Sequence, residues 1–418
     1  MQDFTHLILL IGTNPLPNYV VARYFLEKNK NLKNITAIHT KGTQHIAERL
    51  KLVLDRTAKH SFKYHYCLLA DEANARQIWD DILRQAPITK KDRFHLNYTG
   101  GTKNMAVHAY KTLFTERTDE KFTNCSFSYL DAKTFKIILD QGYALTPNDL
   151  RGEIAIDLEN LLALHHCYKL RADEEINWPA AHLLFKTIIE EGAIDGYLAW
   201  KNEIVRPLFY NFRGHLTRPE KTIRLEGLKQ HEFWPRISRL LTQIFPEEQR
   251  WKFDDEGILI LESKSHFAKN FAKGIEYLDG RWFESYALSE LRQALGPEEE
   301  KFQLYSNWHI KKEGAHREFE LDLVALYGYQ LCGMSVTTSH DRKLCKSKAF
   351  EILHRARQIG GDEARSILLT PNAAEETADI ESDLLTDTGR ETNVKVFGLE
   401  QLRDGALWKN IKAHMLGE

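Results

Sequence analysis

Asn97-Tyr98-Thr99-Gly100-Gly101-Thr102-Lys103-Asn104-Met105 is the stretch from which the rest of the chain is read. It follows Arg93-Phe94-His95-Leu96, which reads as the end of a strand, and precedes Ala106-Val107-His108-Ala109-Tyr110-Lys111, which reads as helix. Paired glycines at a strand-to-helix turn let the backbone approach a ligand closely, because no Cβ intervenes and positive φ costs little. The free N–H groups of the following helix point over the turn, and the helix dipole favours an anion there. Thr99 and Thr102 add hydroxyls and Lys103 a mobile positive charge, so the stretch reads as a phosphate-binding crevice. The spacing matches neither the Walker loop nor the dinucleotide fingerprint. The plain alternative is a tight capped turn that binds nothing.

Working outward, Thr5 to Ile11 is a continuous apolar run suited to a strand buried on both faces. It ends in Gly12-Thr13-Asn14-Pro15-Leu16-Pro17, whose prolines stiffen the loop ahead of a helix from Asn18 to Glu27. Strands at 35–40 and 63–69 alternate with helices at 44–54 and around Ile78 to Leu83, and 126–129 with 137–139 form a closing strand pair. Such alternation predicts an α/β fold, a mainly parallel sheet with helices on both faces. Its ligands lie beyond the carboxyl ends of the strands. Three loops meet there: Gly12 to Pro17, Thr40 to Thr43, and Thr99 to Lys103.

Composition is that of an ordinary globular chain of two or three domains, with 418 residues, 43% hydrophobic, 28% charged and a formal charge of −2. No apolar run reaches bilayer length and the N-terminus lacks the pattern of a signal peptide, so a cytoplasmic location with no membrane partner is expected. Five scattered cysteines without a C-x-x-C pair argue against a zinc site or disulfide scaffold. Residues 1–150 carry 21 Lys and Arg against 15 Asp and Glu, or +6, and the remainder carries −8, which makes the first part the better anion binder.

Beyond residue 150 the pattern becomes helix-rich and aromatic, broken repeatedly by proline and glycine. Residues 151–275 read as a helical connector. Its Trp234, Phe245, Trp251 and Phe253 read as core, and the adjacent His165 and His166 point to different faces of a helix rather than to one metal. The last region, 276–418, opens with Gly280-Arg281-Trp282-Phe283-Glu284 at the head of a helix. In Glu318-Phe319-Glu320-Leu321-Asp322, three carboxylates alternate with apolar residues and so share one strand face. They repel one another unless a cation or basic partner is present. A metal site and a solvated strand face are the two readings. A hairpin at Gly328-Tyr329 leads to a return strand ending Ser335-Val336-Thr337, then to a basic helix from Lys343 to Arg357. Residues 364–370 read as a strand, 371–390 as a polar mobile segment, and 400–415 as one terminal helix.

The loop 12–17 and the stretch Asn97 to Met105 resemble the two signatures of the CRISPR-associated Rossmann-fold sensor domain, whose second signature runs N-x-T-G-G-T-K-x-M. The resemblance implies that residues 1–150 sense a cyclic oligoadenylate of type III CRISPR defence, within a homodimer whose two sensor domains share one ring. A ring of phosphates suits an isologous interface presenting the same loops twice. Gly12, Thr13, Asn14, Pro17, Thr40, Tyr98, Thr99, Gly100, Gly101, Thr102 and Lys103 are the expected ligand residues. The order helix, acidic strand, hairpin, strand, basic helix resembles the PD-(D/E)XK nuclease fold, and the pairing of 280–284 with 320–322 is similar to the nuclease half of sensor-nucleases activated by cyclic tetra-adenylate. These cut nucleic acid, DNA or RNA, with Mg²⁺ or Mn²⁺. The resemblance implies Asp322 and Glu284 as metal ligands, with Glu320 beside them. One departure stands out: the family's E-x-K on the second strand is here Ser335-Val336-Thr337. Either the site is dead or its lysine has moved to the next helix, where Lys346 and Lys348 stand near Glu351. Two functions follow, a ligand-gated metal-dependent endonuclease, or a regulatory protein that senses the ring and only grips nucleic acid.

Overall fold

A computed structural model describes residues 4–88, 92–118, 125–172, 178–211, 223–225, 231–244, 259–261, 274–389 and 393–417. Phe245, Trp251 and Phe253 lie outside the described residues.

The apolar run at the N-terminus forms strand β1 (His6–Leu10), buried throughout because both faces are covered. It pairs in parallel with β2 (Asn34–Thr40) and with β4 (Phe94–Asn97). β3 (Lys63–Leu69) and β5 (Cys125–Asp131) extend the sheet on either side, and β6 (Lys136–Leu139) closes it antiparallel. The order β3-β2-β1-β4-β5-β6 reverses direction between β1 and β4. In an open sheet of this kind the crevice above those strand ends is where a ligand binds. Helices α1 (Leu16–Lys28), α2 (Gln44–Thr57), α3 (Ala75–Gln85) and α4 (Lys103–Thr118) cover the faces, with Pro17 in the first turn of α1, where its missing N–H costs nothing.

A second sheet takes its strands from distant parts of the chain. β7 (Cys167–Ala172) forms one edge and pairs with β10 (Phe302–Lys312); β11 (Glu318–Tyr327) and β12 (Gln330–Val336) form the acidic hairpin; β13 (Arg365–Leu369) and β14 (Val394–Phe397) complete the order β14-β13-β12-β11-β10-β7. The segments Ile223–Leu225 (β8) and Leu259–Leu261 (β9) pair with each other in a separate two-stranded sheet. The Trp282–Leu295 helix packs Trp282, Phe283, Tyr286 and Leu291 on one face of the large sheet with Leu323, Met334 and Val336. The Arg342–Gly360 helix packs Ile352, Ala356 and Ile359 on the other, in a core that runs on through Leu161 and Leu162 to Val53 and Leu54 of the first domain. The acidic strand, hairpin, strand and helix follow one another as the sequence predicts, but β10 stands between the Trp282–Leu295 helix and the acidic strand, where the sequence analysis places no strand.

Three local expectations change. Residues 371–390 contain a helix, Ala374–Thr388, because Ile380 and Leu384, one turn apart, are fully buried against Leu368 and Val396. Glu375 and Glu376 in its first turn complement the helix dipole. The terminal helix is two, Leu399–Arg403 and Leu407–Leu416, interrupted at Asp404-Gly405. His165 and His166 end a helix rather than sit within one, His166 taking φ 57° where the chain turns into β7.

Candidate functional site

Two cavities hold most of the residues the sequence singles out. The first, about 390 Å³, lies at the switch point and is lined by Gly12, Thr13, Asn14, Pro17, Thr99, Gly100 and Gly101. Its floor depends on two glycines for different reasons. A Cβ at Gly100 would overlap the carbonyl oxygen of Leu10 at the end of β1, and Gly101 has φ 76°. Asn18, fully buried, donates to that same Leu10 oxygen at 2.8 Å and holds α1 against the turn.

Thr99 is held from behind. Its hydroxyl donates to Asn97 Oδ1 at 2.7 Å and accepts from the Leu130 N–H at 2.7 Å, tying the turn to β5. Thr102 accepts from the Met105 N–H at 3.2 Å, capping α4, and both Thr102 and Lys103 are exposed at the helix start, outside the cavity lining. Thr40 exchanges hydrogen bonds with Thr43 at the head of α2, and the Tyr98 ring packs edge-on to Tyr110 and tilted to Tyr129. Neither lines the cavity.

Residues from far along the chain close the other side: Tyr329, Asp362 and Glu363, together with Asp131. Burial raises the Glu363 carboxyl above its ordinary range, while a hydrogen bond from Asn14 works the other way. Hydrogen bonds from Thr134 hold Asp131 below its ordinary value. Asp131 ends β5 at the turn into β6, and Tyr329 stands in the hairpin turn the sequence marks; nothing local marks Asp362 or Glu363, which arrive through tertiary packing.

The second cavity, about 220 Å³, is lined by Glu320, Asp322, Ser335, Lys348, Glu351 and Arg355. It opens where the β11–β12 ladder ends at Leu323 and Met334. Asp322 Oδ2 accepts from the Val336 N–H at 2.8 Å and from the Ser335 hydroxyl at 3.1 Å. Surrounding protein raises its pKa, and Lys348 followed by these two hydrogen bonds opposes the rise. Glu284, in the first turn of its helix, is raised well above the carboxylate range, first by burial, then by repulsion from Asp322 and Glu320, with Arg281 and Lys348 opposing. Its Oε2 is buried with no hydrogen-bond partner.

The three alternating acids do not act alike. Glu318 pairs with Arg171 at 2.9 Å and is exposed; Glu320, also exposed, lies 3.6 Å from His309 and reaches the cavity from its rim; Asp322 is the more buried of the three. Repulsion at Glu318 is thus relieved by a basic partner on β7. The two lysines also separate: Lys348 faces the cavity, whereas Lys346 pairs with Asp383 at 3.0 Å and Asp387 at 3.4 Å on the Ala374–Thr388 helix. Arg355 also lines the cavity, with its guanidinium 4.3 Å over the Phe319 ring.

Among the described residues no group of three or more His, Cys, Asp or Glu side chains forms a ready metal cluster. The donors present fit a hard, incompletely enclosed cation: two crowded carboxylates with raised pKa values, one oxygen unpartnered, and space for water. Mg²⁺ is commonly held by one or two carboxylates with the remaining positions hydrated.

Comparison with known proteins defines the first domain. Residues 6–137 match the family model described as the Card1 CARF domain. Over the whole chain the fold is similar to two solved structures. Protein VC1899 from Vibrio cholerae aligns with a TM-score of 0.70 and 14% identity, covering 98% of each chain. Can2 from Sulfobacillus thermosulfidooxidans, solved in complex with cyclic tetra-adenylate, aligns with a TM-score of 0.64 and 17% identity, covering 98% of this chain and 99% of its own. A third likeness, to restriction endonuclease PspGI in a substrate DNA complex, has a TM-score of 0.26 at 9% identity, too low to describe the fold. No curated protein matches the chain. No helix among the described residues is long and apolar enough to cross a membrane.

Proposed function

We propose that this protein is a cyclic oligoadenylate-gated, metal-dependent nuclease of type III CRISPR defence, acting as a homodimer in the cytoplasm on DNA or RNA. Residues 1–150 are the sensor, 151–275 the connector, which lends β7 to the edge of the second sheet, and 276–418 the rest of the nuclease-like domain. Cyclic tetra-adenylate, the ligand in the Can2 structure, is the proposed messenger. The observation that carries the reading is the convergence of Asp322, Glu320 and Lys348 on one cavity beside Glu284 and its unpartnered oxygen.

In the sensor, the glycine turn and the head of α4 take the phosphates, with Lys103 reaching from the rim. The carboxylates at 131, 362 and 363 suit the exocyclic amino groups of adenine, which donate hydrogen bonds. In the nuclease-like domain Asp322 and Glu284 would hold Mg²⁺ or Mn²⁺. A bound divalent ion makes hydroxide available near neutral pH and offsets phosphate charge. Glu320 accepts hydrogen bonds around that centre, and Lys348 faces charge accumulating on the phosphate, taking the place of the lysine absent from Ser335-Val336-Thr337. The two sites are linked covalently: the Arg342–Gly360 helix carries Lys348 near its start and delivers Asp362 and Glu363 to the sensor cavity just past its end. Lys348 and Gly361 are about 20 Å apart along it at the α-helical rise. Ligand entry that shifts the 361–363 loop therefore acts on the lysine.

A second reading rests on Asp322 Oδ2, which Ser335 and the Val336 N–H already satisfy without a metal. In that reading the domain grips nucleic acid and does not cut it. Incubation with single-stranded and plasmid DNA and with RNA, in Mn²⁺, with and without cyclic tetra-adenylate, separates the two. Messenger-dependent cleavage that Asp322→Ala abolishes, with ring binding unchanged, is the expected outcome; messenger binding without cleavage on any substrate leaves the gripping protein.

A further inference from the structure

Lys201 is a buried lysine that no step above uses. It is only 5% exposed. Its ammonium donates to the Thr338 hydroxyl at 2.8 Å and to the Asp279 backbone carbonyl, and lies 3.2 Å from Asp279 Oδ1. Both anchor points adjoin the acidic cavity. Thr338 stands two residues beyond Val336, whose N–H holds Asp322, and Asp279 stands five residues before Glu284.

The backbone on each side of this contact is unusual in the same way. Lys201–Val205 and Tyr277–Arg281 are both π-helical turns, and the second leaves helical geometry at Gly280 just before the Glu284 helix begins. Such wide turns recur at functional sites, where they re-aim the residues that follow. A hydrogen bond from Tyr197 to the Leu278 carbonyl at 2.8 Å, and one from the Trp282 indole to the Tyr197 hydroxyl at 3.1 Å, hold the pair together from the apolar side. Among these fixings Lys201 is the charged group, and it bonds Thr338, two residues past the end of β12.

A buried charge is costly, and a neutral side chain would pack there at lower cost. Moreover, Asp279 is shared with Arg206 at 3.2 Å, so two cations meet one carboxylate. Burial is the main influence on the ammonium, pulling its pKa down to about 8 against the pull of Asp279, and Lys348 is near enough to contribute.

We infer that Lys201 is a positioning residue for the acidic cavity: from the middle of the chain it locks the end of β12 to the turn that aims Glu284. The inference rests on that cavity being the cleavage centre proposed above. With no lysine in Ser335-Val336-Thr337, the strand end has no charged side chain of its own to fix it against the Glu284 helix, and Lys201 makes that tie through Thr338.

The test uses the full-length protein with Lys201→Met, Thr338→Val and Thr338→Ser, read by thermal melting, by calorimetric titration with Mn²⁺ alone, and by cleavage with saturating cyclic tetra-adenylate and Mn²⁺. Lys201→Met, folded at the assay temperature, should lose about tenfold or more in kcat and in Mn²⁺ affinity with KM unchanged, as for other residues that orient metal ligands. Thr338→Val should lose both in the same direction, and Thr338→Ser, which keeps the hydroxyl, should behave as the parent. A folded Lys201→Met with parental kcat and Mn²⁺ affinity overturns the inference. So does a rise in Mn²⁺ affinity, which would make the ammonium only a repelling charge. If Lys201→Met does not fold, the threonine pair decides, and equal behaviour of Val and Ser at 338 overturns it. A parent protein that never cleaves defeats the nuclease reading alone, because the Mn²⁺ titrations still test Lys201.

Discussion

Asn97 opens the glycine turn and is fully buried, and its side chain makes three hydrogen bonds that shape the sensor floor. Nδ2 donates to Ser128 Oγ at 3.0 Å; Oδ1 accepts from the Thr99 N–H at 3.3 Å and from the Thr99 hydroxyl at 2.7 Å. Asn97→Ala removes all three. Ser128 keeps its contact with His95 at 2.7 Å, so the group left exposed to loss is the Thr99 backbone, near the cavity where water can reach it. At about 1 kcal/mol net for each bond, with a further contribution from the space left behind, the cost is about 2–4 kcal/mol. Thr99→Val removes the shared hydroxyl bond and the acceptor for the Leu130 N–H, at about 1–3 kcal/mol. Because one bond is common to both variants, the double variant should cost about 1 kcal/mol less than their sum. Urea unfolding followed by far-ultraviolet circular dichroism measures all three, and calorimetry with cyclic tetra-adenylate should show weakened binding in each. Strict additivity, or an Asn97→Ala protein within about 0.5 kcal/mol of the parent, would refute the account of the turn.

Lys103→Ala removes a charge-assisted phosphate contact worth about 1.5–3 kcal/mol per site, twice over in a symmetric dimer, and calorimetry should show that loss in ring affinity with stability unchanged. Lys348→Ala should lose cleavage by orders of magnitude while still binding substrate, whereas Lys346→Ala should cost only its exposed pairs with Asp383 and Asp387; equal activities in a cleavage assay would remove Lys348 from the mechanism. Burial lowers the pKa of His6 to about 4 and of His95 to about 3, so between these values and 6.5 the unfolded chain binds protons that the folded chain does not. Stability of the sensor should therefore fall as pH drops from 6.5 toward 4, by about 1.4 kcal/mol per pH unit for each histidine, and urea titrations at pH 7, 6 and 5 with His95→Asn as control check it.

Much of the sensor could be read from local residues because its chemistry is local. Two glycines in a row after a strand, one with no room for a Cβ against Leu10 and one at positive φ, are backbone requirements that residue type alone expresses. The alternating strands and helices then place the loops at 12–17 and 99–101 at one end of a parallel sheet. The alternation Glu318-Phe319-Glu320-Leu321-Asp322 likewise put three acids on one face, since strand periodicity is exact. What side chains do after they reach a face was decided by partners remote in the chain. Glu318 is neutralised by Arg171 and Lys346 by Asp383, the Thr99 hydroxyl accepts from the Leu130 N–H, and the cavity at the glycine turn takes Tyr329, Asp362 and Glu363 from far along the chain. Residues 374–388 are helical because two apolar side chains found a buried groove, although their polar neighbours suggested none. Local sequence sets backbone geometry and facing, through sterics and periodicity; which charges meet, and which are left unpaired in a cavity, depends on tertiary packing that brings together residues 37 positions apart, as for Lys346 and Asp383, or 147, as for Arg171 and Glu318.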